Sequence, residues 1–402
     1  MRLVKQIVHT QIFSIIGPLT NFLGFTCLVR LLGPTNYGVY VMIQGMLVIG
    51  LQIFSQNLFL YTRRKIPGCE KEEQYAYFRT LIVVILIAYF AFVLIINILM
   101  ITFPTLKRSI ITFTRGDIII FYLLLIILLL KLVSTEITRF YIALKQIEIN
   151  NIGVFIQIAF YSISLIFFGL FCSGLELSHV LILMILSEII FILYFIKYFD
   201  LSEFFKSKWK KDVLTDGYPY GLSLYPVALS SVAINYTDRY LLSLAENLEK
   251  VGQYGFAINI VMMVYAVLGS SLILTIFPYA TEAQNKNNIN ERNRLLFINL
   301  RYGILLSLMF YVLLVLNREW FVQLIGGLKY EPVKTLFLPL GLYPLFQIIN
   351  SVASHHLQLN DKTKILAIMY SVYFFVNLSV TYFFIKFFGI MGAAIANILC
   401  LS

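Results

Sequence analysis

The chain has 402 residues, 60% of them hydrophobic and 13% charged, with a formal charge of +11. A soluble globule needs roughly twice that charged share to cover its surface, so a water-soluble fold is excluded. The positive charge invites a nucleic-acid reading, but its distribution between the connections of a membrane chain explains it better.

Twelve charge-poor runs can be marked, over 6–29, 31–62, 81–103, 118–130, 149–172, 177–196, 217–237, 251–281, 302–317, 335–354, 365–385 and 387–402. Most reach the roughly 20 residues that a helix needs to cross about 30 Å of hydrocarbon. Alternating strands are absent, and helices satisfy their own backbone groups in lipid. The expectation is an all-α integral membrane protein with about twelve transmembrane helices. Of the Lys and Arg residues, 21 fall at the N-terminus and after even-numbered runs, against 10 on the other side. Both termini are therefore expected to be cytoplasmic.

In the first run, Arg2 and Lys5 hold the start at the cytoplasmic face, and Gly17-Pro18 predicts a mid-membrane break. Arg30 closes the run before a tight turn at Gly33-Pro34. Arg30 is either an interfacial arginine or a cation facing a central cavity. Arg63, Arg64 and Lys65 open a solvated loop, and Lys107, Arg108 and Arg115 fall in an outer one. The fourth run is short unless it continues past Lys131, whose side chain is a candidate for the cavity. Glu136 and Arg139, three residues apart, can pair on one helix face. Glu188 lies mid-span in the sixth run, either as a protonated structural acid or as a proton- or cation-coupling site.

Residues 197–216 carry Phe204, Phe205 and Trp209 among Lys206, Lys208, Lys210 and Lys211. This predicts a basic amphipathic helix on the cytoplasmic membrane surface. It divides the chain into a six-helix lobe over 1–200, a linker over 201–216 and a second six-helix lobe over 217–402. Gly217-Tyr-Pro-Tyr-Gly221 and Tyr225-Pro226 predict another broken helix. Asp238 and Arg239 then stand side by side at the end of an apolar run, either as two charges at headgroup level or as a functional intramembrane pair, where an acid and a base are costly. The blocks share a weak repeat: Leu32-Gly33 followed by Tyr37-Gly38 matches Val251-Gly-Gln-Tyr-Gly255. His355-His356 is not at helical ligand spacing, and the four cysteines show no metal pattern. Gly389-Ile-Met-Gly392 opens the last helix with small residues spaced for close packing. There is no G-x-x-x-x-G-K-[ST], so the chain holds no nucleotide-burning motif.

Two segments, Arg30-Leu-Leu-Gly-Pro-Thr-Asn-Tyr-Gly38 and Thr237-Asp-Arg-Tyr-Leu-Leu-Ser243 through Gly255, resemble the Wzx-type polysaccharide (O-antigen) repeat-unit flippases. These belong to the multidrug/oligosaccharidyl-lipid/polysaccharide exporter superfamily. The start of the last helix looks similar too. The resemblance implies a V-shaped, MATE-like pair of six-helix bundles in the bacterial cytoplasmic membrane, and alternating access. Its implied cargo is undecaprenyl diphosphate bearing a short oligosaccharide, with a polymerase and a chain-length regulator as pathway partners. On this reading Arg30, Lys131 and Arg239 attract the diphosphate while Asp238 holds Arg239. No cofactor is expected; H+ or Na+ is the coupling ion if Glu188 couples transport. A drug or cation antiporter would prefer acids in its cavity, and a lipid II flippase more basic residues in its first lobe. A polysaccharide polymerase, the enzyme alternative, would need a longer outer loop.

Overall fold

The computed structural model describes residues 2–55, 58–105, 108, 117–171, 175–267, 271–286, 288–360 and 362–401, and among them it is helical with no strand. The helices are α1 (Arg2–Ser55), α2 (Leu58–Lys65), α3 (Lys71–Thr102), α4 (Ile118–Ala143), α5 (Ile147–Phe171), α6 (Leu177–Ile196) and α7 (Leu201–Lys206). There follow α8 (Tyr218–Ala245), α9 (Leu248–Tyr265), α10 (Ser271–Asn285), α11 (Ile289–Leu316), α12 (Arg318–Ile325), α13 (Phe337–Leu340), α14 (Tyr343–Leu359) and α15 (Thr363–Leu401).

Eight helical stretches among the described residues are long and apolar enough to cross a membrane. Two of them are doubled by a glycine in the left-handed region. Gly33 (φ 67°) interrupts α1, and Gly389 (φ 54°) interrupts α15. Pro34 then restarts the helix where its missing N–H has no helical partner to lose. With α8 and the α9–α10 stretch, these halves account for the runs read from the sequence. Large apolar side chains such as Phe90, Leu94, Ile98, Phe167 and Leu170 stay exposed, as lipid solvation allows.

Two expectations change. The helix runs unbroken through Gly17-Pro18, and α8 runs through Pro226, so neither proline ends its helix. Inside a membrane, neighbouring groups compensate for the one hydrogen bond that a proline removes. The linker also differs. Its helix α7 stops at Lys206, so Phe205 and Trp209 are not on one continuous helix, although both remain exposed. The cause is a set of tethers. Arg79 Nη1 donates to the carbonyls of Phe205 (2.9 Å) and Ser207, and Lys210 N donates to Thr80 Oγ1 at 3.0 Å. Lys71 pairs with Asp200 at 2.7 Å and Lys210 with Glu73 at 2.6 Å. Tyr61 and Tyr77 hydroxyls both donate to Asp212. Arg2, Lys5, Lys107, Arg115 and Cys172 lie outside the described side chains.

The chain forms two compact units. Unit 1 comprises Met1–Phe13 and Ile43–Leu229, and unit 2 comprises Ser14–Met42 and Ser230–Ser402. In unit 1 an aromatic core gathers Tyr75, Phe78, Phe140, Tyr141, Phe191 and Phe195, with Phe78 and Phe140 stacked at 4.3 Å. In unit 2, Ala280, Leu296, Ile348, Val352 and Leu359 pack α10, α11 and α14 together.

Candidate functional site

The two motifs of the sequence repeat are packing partners within unit 2. A Cβ on Gly38 would collide with the Leu248 carbonyl, and one on Gly252 with the Pro34 carbonyl. Only paired glycines allow α9 to lie this close to the second half of α1. The contact carries Tyr37 and Tyr254, one from each motif, into the same polar network; both are fully buried.

Asp238 and Arg239 form the centre of that network, each 2% exposed. Asp238 Oδ2 accepts from the Tyr254 hydroxyl and from Asn397 Nδ2 at 3.1 Å. Its Oδ1 accepts from the Arg239 backbone N at 2.8 Å and lies 3.4 Å from Arg239 Nη1. Arg239 Nη1 also donates to the Asn235 carbonyl. Its Nη2 makes only long contacts, 3.5 Å to Asn259 Oδ1 and 3.8 Å to the Met262 sulfur. Its Nε has no acceptor among the described residues. Asn259 passes the chain on, donating to the Tyr37 hydroxyl at 2.7 Å. The acid is therefore well satisfied; the guanidinium, which also lies 4.9 Å from the Tyr236 ring centre, keeps an Nε with no acceptor among the described residues. Such a group carries a standing demand for acceptors in a low dielectric.

Arg30 is also in unit 2 but outside this network. Its Nε donates to the Ile325 carbonyl at 3.2 Å, and its Nη2 to those of Gln323 (3.1 Å) and Leu324 (2.5 Å). It thus caps the C-terminus of α12, where the helix dipole favours a cation. In unit 1, α4 continues past Lys131 because that ammonium meets Glu188 on α6 at 2.9 Å. Glu188 is 2% exposed. One oxygen is held by a cation, and the other, Oε2, is buried without a partner among the described residues. Glu136 pairs with Arg139 as expected, and the Arg139 guanidinium stacks 3.6 Å from the Phe59 ring centre.

Sequence reasoning missed Tyr37, Tyr254, Asn259 and Asn397. The two tyrosines stood in the quoted motifs, and the two asparagines could have been found as amides inside apolar runs. His355 Nδ1 lies 2.7 Å from the Ser351 carbonyl, and among the described residues no group of three His, Cys, Asp or Glu could hold a metal.

Long apolar helices, glycine-doubled spans and buried ionisable pairs define a multi-pass membrane protein. The fold agrees with solved structures. An inward-facing multidrug resistance MATE family transporter matches with a TM-score of 0.70 at 12% identity, over 97% of this chain and 95% of that one. The lipid II flippase MurJ in an inward closed conformation matches with a TM-score of 0.62 at 16% identity, over 98% and 85%. A MOP superfamily transporter from Pyrococcus furiosus, described as having a binding pocket of reverse polarity, gives 0.62 at 15% identity, over 99% and 93%. No functionally curated protein matches the sequence. The sequence matches the family described as polysaccharide biosynthesis protein over residues 3–284, and the chain belongs to that family.

Proposed function

We propose that this protein is a flippase that moves undecaprenyl-diphosphate-linked oligosaccharide, an O-antigen or capsule repeat unit, from the inner to the outer leaflet of the bacterial cytoplasmic membrane. It works by alternating access with both termini cytoplasmic, as a transporter and not an enzyme. Its cargo comes from lipid-linked glycan assembly and passes to a polymerase and chain-length regulator. Membership of the polysaccharide biosynthesis family and the transporter fold support this reading.

The single observation that carries the anionic cargo is Arg239: a buried guanidinium with an idle Nε and weak Nη2 contacts beside an already saturated Asp238. A guanidinium presents a fork that matches phosphate, and a diphosphate oxygen is a stronger acceptor than the amide and thioether now beside it. Lys131 is the second candidate cation, and Arg30 a third. Moving one charge through 100 mV is worth about 2.3 kcal/mol, so carrying roughly two negative charges outward releases about 4–5 kcal/mol. The membrane potential is sufficient drive, and Glu188 adds an H+ or Na+ couple through its open oxygen.

The test is translocation in proteoliposomes with lipid-linked oligosaccharide on one leaflet and an imposed potential. The proposal expects faster movement toward the positive side and strong impairment in Arg239→Gln. Transport that ignores the potential removes the electrical drive, and a failure of wild-type protein to move the cargo removes the assignment.

A further inference from the structure

We propose that an open cleft on unit 2, between the first turns of α9 and the 3-10 stretch Leu328–Thr335, is a binding subsite for neutral sugar residues. Its volume is about 440 Å³, and its lining includes Glu249, Gln253, Lys329, Glu331, Pro332 and Lys334. Small-molecule sites fall between about 300 and 1,000 Å³.

Its charge identifies the ligand class. Two carboxylates stand against two ammonium groups, so neither a polyanion nor a polycation is favoured. A ligand with many hydroxyls and no net charge can use every group: carboxylates accept from hydroxyls, ammonium groups donate to them, and Pro332 offers an apolar face to a ring's C–H bonds. The groups are also held. Gln253, 3% exposed, donates to Glu249 Oε1 at 3.3 Å and so orients that carboxylate. Lys334 Nζ bridges Glu319 at 3.4 Å and Glu331 at 3.2 Å.

Both walls are packed against buried neighbours. Gly252, between the lining residues Glu249 and Gln253, is locked against Pro34 of α1. The opposite wall turns at Gly327 (φ 71°) and is anchored by Tyr330, fully buried with its ring 4.6 Å from that of Phe256. Preorganised groups bind with less ordering cost. The inference rests on the proposed function only for its setting. There, 317–334 is an outer connection, and the cleft receives the saccharide as it emerges.

The experiment is hydrogen exchange on the full chain in lipid nanodiscs. Its probes are the free oligosaccharides released by mild acid from the producing cell's polyprenyl-linked lipids, and inorganic pyrophosphate as an anion control. The oligosaccharides are expected to slow exchange over 247–253 and 328–335, pyrophosphate is not, and Glu249→Gln/Glu331→Gln is expected to lose the protection. In proteoliposomes each substitution is expected to raise the KM for lipid-linked cargo about 2- to 10-fold, the loss of one hydrogen bond. No protection of these segments in the wild type, equal protection by pyrophosphate, or protection undiminished in the double variant overturns the subsite. Protection of the cleft in a protein that moves no lipid-linked saccharide upholds the subsite while the flippase reading fails.

Discussion

Gly38 and Gly252 fill each other's side-chain space: a methyl built on Gly38 would lie 3.0 Å from Gly252 N, and one on Gly252 would lie 2.9 Å from Gly38 N. Neither neighbour is a flexible side chain, so the strain of an added carbon falls on two helix backbones. Gly38→Ala and Gly252→Ala are each expected to destabilise the protein by about 1–3 kcal/mol or more, as overpacked cores do. Thermal unfolding in detergent checks this, and a shift no larger than that of a surface substitution contradicts the tight crossing.

The Asp238–Arg239 pair gives a prediction with a sign that depends on which partner is removed. Asp238→Asn leaves the buried guanidinium uncompensated and is expected to cost about 3–5 kcal/mol. Adding Arg239→Gln to that variant removes the orphaned charge and is expected to restore part of the loss. A double-mutant cycle on unfolding reads the coupling directly; simple additivity would mean that the two groups do not act as a pair.

Glu188 is tied to Lys131 by one oxygen only. If the other accepts the coupling ion, Glu188→Gln is expected to keep the fold but flatten the dependence of transport on a proton or sodium gradient. Lys131→Met leaves an unpaired buried carboxylate and is expected to be the less stable of the two. Transport rates measured with each gradient imposed separately decide the coupling role.

The tethered linker should respond to pH at its extremes only. The Lys71 ammonium beside Asp200 holds that carboxyl below its usual range, so its contribution is present at neutral pH and is lost as pH falls through the lowered value. The Glu73 carboxylate raises Lys210, whose contribution is present below the usual lysine range and is lost as pH rises through the raised value. Between about pH 5 and pH 9, proteolysis of 200–212 should therefore be flat, with faster cleavage below about pH 4. A loosening near pH 6–7 would point to other groups.

Arg30 caps α12 through three hydrogen bonds from Nε and Nη2. Arg30→Ala is expected to speed hydrogen exchange across 318–325, consistent with a loss of about 0.5–2 kcal/mol of helix-end stabilisation. Unchanged exchange there, with reduced transport, would instead favour a role in attracting the diphosphate.

What the sequence made legible was whatever depends on neighbours in the chain. Helical runs follow from local apolarity, the turn at Gly33-Pro34 from backbone chemistry, and the Glu136–Arg139 pair from helix spacing. The bond between Arg30 and carbonyls at 323–325, and the meeting of Lys131 with Glu188, depend on tertiary neighbours that no local pattern encodes. The motifs holding Gly38 and Gly252 could be seen as similar, but similarity does not say that they touch. The proline breaks misled for the opposite reason: a local preference against helix at Pro18 and Pro226 was outweighed by a setting in which leaving the helix costs more.

The assignment of Ser14–Met42 to the same unit as Ser230–Ser402 has a consequence for biogenesis. The stretch bearing Gly38 leaves the ribosome before the α9 surface it docks on, since Gly252 follows it by 252 − 38 = 214 residues. At about 5–20 residues per second, that is a wait of about 10–40 s in the bilayer. Through that interval the Gly38 face is without the α9 backbone that covers it in the folded protein.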